Sequence, residues 1–157
     1  MTEKPPFPFK NPVEGYLRLT ADGQWLYKDE PLAHEGLVYI LESNYGPGPE
    51  GGYEVRLGPQ RVVVEVEDTP YFVKDVDVNP EGSVMLRLND GSKELLDPSR
   101  VTISENGHTY VTVKDGAEAK FLRKAELRLG DFVEEQEDTL GLRVAGKWTP
   151  LEERPSV

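Results

Sequence analysis

Short alternating strands separated by glycine and proline turns, together with two amphipathic helical stripes, predict an α+β fold of two similar units. In each unit, antiparallel strands should lie with their concave face against one helix. The first observation is the stretch Arg61 to Val78, RVVVEVEDTPYFVKDVDV. Val62, Val64 and Val66 fall on one face of an extended strand and Glu65 and Glu67 on the other, so one face suits a core and the other meets water. Pro70 has no amide hydrogen to donate to a ladder, so the run should break at Asp68-Thr69-Pro70 and resume through Phe72 and Val73 to Val78.

The second observation is the pair of helical stripes. Leu37, Val38, Leu41 and Tyr45 share one face of a helix expected from about Pro31 to Asn44, with Asp29 or Glu30 as its cap. Leu122, Ala125, Leu129, Phe132 and Val133 share a face between Ala119 and Glu135. Leu127 and Leu129 also alternate there as a strand would, and Gly130 weakens a helix by about 1 kcal/mol. Helix is the reading adopted for this segment. The third observation is an internal echo. A strand, a Lys28-Asp29 turn and a helix in the first half match a strand, a Lys114-Asp115 turn and a helix in the second, which sets His34 against Arg123.

The remaining elements follow from turn chemistry. Tyr16–Thr20 and Trp25–Tyr27 form a hairpin around Asp22-Gly23. Tyr53–Leu57 is a strand after the GPGPEGG connector at 46–52, which lacks the Gly-Lys-Ser/Thr ending of a phosphate loop. Val84–Leu88 pairs with Lys93–Leu96 across Asn89-Asp90-Gly91. Val101–Ser104 pairs with His108–Val113 across Asn106-Gly107. Leu140–Ala145 and Trp148–Leu151 turn at Gly146. The proline-rich MTEKPPFPFKNP reads as a flexible N-terminal arm over residues 1–12. A single compact domain should then occupy 13–152, as two structural repeats of about 13–79 and 80–152, with a tail at 153–157.

Composition narrows the function classes. The 157 residues carry a formal charge of −11 and no cysteine. Lys and Arg must neutralise phosphates for a protein to bind a duplex, so this balance argues against nucleic acid as a partner. The absence of cysteine removes disulfides, thiolate metal sites and Cys nucleophiles, and it fits a reducing cytoplasm. No apolar run approaches a membrane span, and the N-terminus lacks the apolar core of a signal peptide.

The order Trp25, Pro31-Leu32, His34, Leu37-Val38, Tyr53, Val66-Glu67-Asp68-Thr69-Pro70-Tyr71, Ala119, Leu122-Arg123, Leu127, Leu140-Gly141, Gly146-Lys147-Trp148 and Leu151 resembles the bacterial DUF1285 family. The resemblance runs from about Gly15 to Leu151, and its sharpest motif is VEDTPY. The chain departs from the family pattern at His34, where Arg is usual, and at Tyr71 in place of Phe. The resemblance implies an α+β architecture of two similar units, in each of which antiparallel strands curl around one helix. It implies no established activity, cofactor or catalytic residue. A role in signalling has been entertained for the family on structural similarity alone.

No catalytic set is complete in the chain. Asp75-Val76-Asp77-Val78-Asn79 mimics the first ligands of a calcium loop, but Pro80 and Leu86 stand where the loop needs Gly and a bidentate Glu. No metal and no cofactor are therefore expected. Trp25 and Trp148 read as core or rim aromatics. His34 and Arg123 are the candidate ligand-binding residues, since two helices related by a pseudo-twofold would bring them to one cleft. The function expected is a non-enzymatic cytoplasmic binding or regulatory module with a small-molecule or protein partner. The alternatives are a small-molecule enzyme with an acid–base site at His34 or carboxylates, and a protein-interaction subunit using a sheet edge. A large pocket holding a perturbed carboxylate or histidine would favour the enzyme, and a flat apolar patch the interaction subunit.

Overall fold

The break at Asp68-Thr69-Pro70 divides the molecule, because the chain separates into two compact units between Asp68 and Thr69. The computed structural model describes residues 17–155. The expected N-terminal arm, and Tyr16 at the start of the first hairpin, lie outside the described residues.

The first unit holds β1 (Leu17–Leu19), β2 (Trp25–Tyr27), β3 (Glu30–Pro31), α1 (Glu35–Ser43), β4 (Tyr45–Pro47), β5 (Tyr53–Leu57) and β6 (Gln60–Val66). They form one sheet in the order β3-β2-β1-β6-β5-β4, with β1 and β6 parallel at its centre. The alternation read for β6 is the one observed. Val62 and Val64 are buried, while Val63 is 74% exposed. Leu17, Leu19, Trp25, Leu41 and Val55 complete the core. Tyr45 meets the Trp25 ring edge-on at 5.5 Å and stacks on Tyr53 at the same distance. The indole N–H of Trp25 donates to the buried Glu42 carboxylate at 3.3 Å.

Helix α1 begins four residues later than Pro31. Lys28 and Asp29 adopt left-handed φ angles of 49° and 66°, the geometry of a two-residue hairpin turn that matches strand twist. This turn folds Glu30 and Pro31 back as β3, where Pro31 pairs with Leu26. Pro31 is thus an edge-strand residue, and neither Asp29 nor Glu30 is a cap. The N-cap is His34, whose Nδ1 accepts from the Leu37 amide at 3.3 Å. The segment read wholly as a connector begins with β4, which pairs Tyr45 with Val55 and Pro47 with Tyr53.

The second unit contains β7 (Tyr71–Val78), β8 (Val84–Leu88), β9 (Lys93–Leu95), a 3-10 turn (Pro98–Arg100), β10 (Val101–Ile103), β11 (Thr109–Val113) and β12 (Ala117–Phe121). Next come α2 (Arg123–Leu129), a second 3-10 turn (Gly130–Phe132), β13 (Val133–Gln136), β14 (Thr139–Val144), β15 (Lys147–Pro150) and β16 (Glu152–Glu153). One sheet runs β16-β10-β11-β12-β7-β8-β9, and a smaller one runs β13-β14-β15. The architecture is α+β, with two sheet-dominated units that each carry one α-helix.

The helix expected between Ala119 and Glu135 is shorter than its apolar stripe. Its first residues belong to β12, which pairs with β11 on one side and with β7 on the other. Its last residues form β13, paired with β14. A central strand with two partners satisfies every backbone group, and that outweighs the helical preference of one more turn. Ala125 and Leu129 are buried from α2, whereas Leu127 is 62% exposed.

The two larger sheets repeat one pattern. Each joins two three-stranded meanders, with the first strand of the first meander parallel to the last strand of the second. A bond follows each parallel pair at the same place: the Glu67 amide donates to the Leu19 carbonyl at 3.0 Å, and the Leu122 amide to the Val73 carbonyl at 3.0 Å.

Candidate ligand cleft beside Trp148

In the second unit, a cleft of about 630 Å³ lies between the segment Leu95–Ser99 and strand β15, with Ser83 and the β14–β15 turn at one end. This volume is within the range of small-molecule sites. β9 and β15 are the outermost strands of their sheets, so the cleft is walled by two sheet margins.

Trp148 lines the cleft, and two contacts fix its ring. Its indole N–H donates to the Glu134 carbonyl at 2.9 Å. Its ring lies over Gly141 on the neighbouring strand, where a Cβ would come within 2.4 Å of the indole and 2.6 Å of the Thr149 carbonyl. Glu134 in turn is paired with Arg143, which also donates to the Gly146 carbonyl at 3.2 Å. The β14–β15 connection needs left-handed φ at Ala145 (52°) and Gly146 (81°), the turn type that preserves strand twist. Leu95, Leu96, Pro98, Val144 and Pro150 extend the apolar lining.

The polar groups of the cleft come mainly from the chain between β9 and β10. Asp97 caps the 3-10 turn with Pro98 at its start, a favoured placement for both residues. Its Oδ1 accepts from the Ser99 hydroxyl at 2.7 Å and the Ser99 amide at 3.0 Å, and its Oδ2 faces Arg100 Nε at 3.5 Å. The Ser99 hydroxyl, then its amide, with help from Arg100 and Lys147, hold this carboxyl below its ordinary pKa against the opposing effect of burial. Lys147 stands exposed on the opposite wall of the cleft.

Charge is concentrated at a second place in the same unit. The Asp75 side chain is only 8% exposed, and its carboxylate meets Lys124 at 3.1 Å, Arg128 at 3.3 Å and Arg87 at 3.8 Å. The Val76 amide also donates to it, at 2.9 Å. Burial pushes this carboxyl up, but Lys124, the Val76 amide and Arg128 outweigh it and leave the pKa below its ordinary value. The calcium-like spacing of Asp75, Asp77 and Asn79 is therefore occupied with other work. Asp75 turns to cations of α2 and β8, and Asn79 Oδ1 accepts from the Glu81 and Ser83 amides. Among the described residues, no group of three or more His, Cys, Asp or Glu side chains is placed to hold a metal ion.

The two residues singled out from sequence fall at helix starts. His34 is an exposed N-cap in the first unit. Arg123 is the exposed first residue of α2 in the second, where Leu122 holds the cap position with extended backbone. His108 lies in a smaller depression of about 260 Å³ with Tyr110 and Arg154. There the Arg154 guanidinium covers the Tyr110 ring at 3.7 Å and pairs with Glu118 at 3.0 Å. Asp97 and Ser99 escaped the sequence reading, and Lys147 entered it only within Gly146-Lys147-Trp148. The usable signal was Asp97-Pro98-Ser99-Arg100, a cap followed by proline between two strands.

A family model described as "Protein of unknown function (DUF2946)" matches residues 5–156. The chain belongs to this family. Two solved structures share the fold of this DUF2946 member. The first is a DUF1285 family protein from Silicibacter pomeroyi DSS-3, 24% identical, with a TM-score of 0.64 over 97% of this chain and 90% of that one. The second is a DUF1285 family protein from Shewanella baltica OS155, 17% identical, with a TM-score of 0.56 over 76% of this chain and 93% of that one. The resemblance to DUF1285 proteins read from the sequence is thus a resemblance of fold along nearly the whole chain. No curated protein matches the chain. Among the described residues, no helix is long and apolar enough to cross a membrane.

Proposed function

We propose that this DUF2946 member is a non-enzymatic binding or regulatory module of the cytoplasm that holds a small ligand in the Trp148 cleft. The observation that carries the reading is the cleft itself, a concavity with an apolar lining that includes Leu96, Pro98 and Val144 and with a few polar groups beside it. A pocket with a perturbed carboxylate would favour an enzyme in general, but the direction of the Asp97 shift matters. A proton-transfer group works best with a pKa near the operating pH, and Asp97 is held on the ionised side of its usual range. It suits an electrostatic anchor. His34 uses Nδ1 as a helix cap, which is a structural use of its ring.

The test is a screen of small metabolites by melting temperature and by two-dimensional NMR. A ligand of the folded state present at 100 times its Kd adds about 2.7 kcal/mol to stability. Hits should shift the resonances of Leu95–Ser99 and Lys147–Pro150. A screen whose hits all map elsewhere, or that has none, overturns the reading.

A further inference from the structure

Resting on that reading, we infer that the ligand of the cleft is a zwitterion with an apolar side chain, an α-amino acid or a short peptide of such residues. Two charges of opposite sign face the same space. Asp97 is held ionised by the two Ser99 donors on Oδ1. Lys147 is exposed on the opposite wall. Within the cleft, a simple anion attracted to Lys147 meets Asp97, and a simple cation attracted to Asp97 meets Lys147. A ligand with an ammonium and a carboxylate can oppose both charges at once, the ammonium at Asp97 and the carboxylate at Lys147. Such complementarity favours one partner and penalises each half-match. The third part of the ligand faces the apolar lining, where Leu95 is 61% exposed. An apolar or aromatic side chain placed there covers surface that otherwise meets water.

NMR titration of the whole chain with L-phenylalanine and its blocked forms decides this. Phenylalanine amide lacks the carboxylate, N-acetyl-phenylalanine lacks the ammonium, and N-acetyl-phenylalanine amide lacks both. Free phenylalanine should bind at least tenfold more tightly than each of them, with shifts at Leu95–Ser99 and Lys147–Pro150. D97N, in which Asn keeps the capping acceptor, should abolish the preference over N-acetyl-phenylalanine. K147Q should abolish the preference over the amide. The dipeptide Phe-Phe distinguishes the two sources, because tighter binding of it than of phenylalanine assigns the site to peptides. Equal binding of all four forms at these residues overturns the zwitterion while leaving the ligand cleft intact. Absence of binding by all five probes also overturns it, and the metabolite screen then decides separately whether the cleft binds anything.

Discussion

Gly36 is the second residue of α1, where an alanine Cβ would come within 2.9 Å of the His34 ring. Glycine inside a helix costs about 1 kcal/mol relative to alanine, so its place here needs a reason. The absent side chain leaves room for the imidazole to fold over the helix start and accept from Leu37. The two residues should therefore be coupled. His34→Ala should lower stability by about 0.5–1 kcal/mol, near the lower end for loss of a cap. Gly36→Ala should be close to neutral in the native background, because the gain in helix propensity is offset by displacement of the cap. In the His34→Ala background, the same change should stabilise by nearly the full 1 kcal/mol. Denaturant unfolding of the four proteins measures this, and simple additivity would refute the coupling. The sequence offered His34 as a candidate ligand-binding residue. The cap was hidden because histidine is a poor capping residue and Asp29 and Glu30 are better candidates. The Lys28-Asp29 turn removed both from the helix.

At the scale of elements, α2 shows where periodicity informs and where it misleads. Ala125 and Leu129 are buried as the stripe required, and Arg128 and Lys124 reach from the same helix to Asp75 on β7. Leu127, which supported a strand by alternating with Leu129, faces solvent from the helix. Leu129→Ala should cost about 2–5 kcal/mol, the range for emptying a buried leucine site. Leu127→Ala should stay within about 0.5 kcal/mol, as surface changes do. Similar costs at the two positions in urea unfolding would contradict this burial. The strands were read well wherever a turn carried its own chemistry, as at Asn89-Asp90-Gly91 and Asn106-Gly107. β3, β4, β12 and β13 were missed because each is defined by its partner and not by its own alternation. The cleft was missed for a related reason. Its two walls, Leu95–Ser99 and Lys147–Pro150, lie about 50 residues apart in the sequence.

For the whole molecule, the corner at Pro70 was legible and so was the α+β class, but the parallel pairings β1–β6 and β7–β12 were not. A strand pattern records which face is buried and says nothing about which distant strand completes the ladder. The division into two units has a consequence for acid stability. Asp75, Asp90 and Asp97 all have depressed pKa values, and all lie in the second unit. Asp90 is held against the effect of burial by Ser92 and by Lys114, which lies 2.9 Å away. A carboxyl whose folded pKa lies below its unfolded value of about 3.9 binds fewer protons when folded. Its contribution to stability is present above that unfolded value and is lost as pH falls through the folded one. Acid should therefore weaken the second unit through three sites at once, beginning near pH 4. Hydrogen exchange compared at pH 6 and pH 3, after correction for intrinsic rates, should show a larger loss of protection over residues 69–155 than over 17–68. Asp75→Asn removes the most heavily paired of the three carboxylates. This variant should start less stable at pH 6, by about 1–3 kcal/mol for the loss of hydrogen bonds to a charged group, and should then lose less on acidification. A first unit that opens before the second, or an Asp75→Asn protein with the same pH dependence as the parent, would show that these ion pairs do not set acid stability.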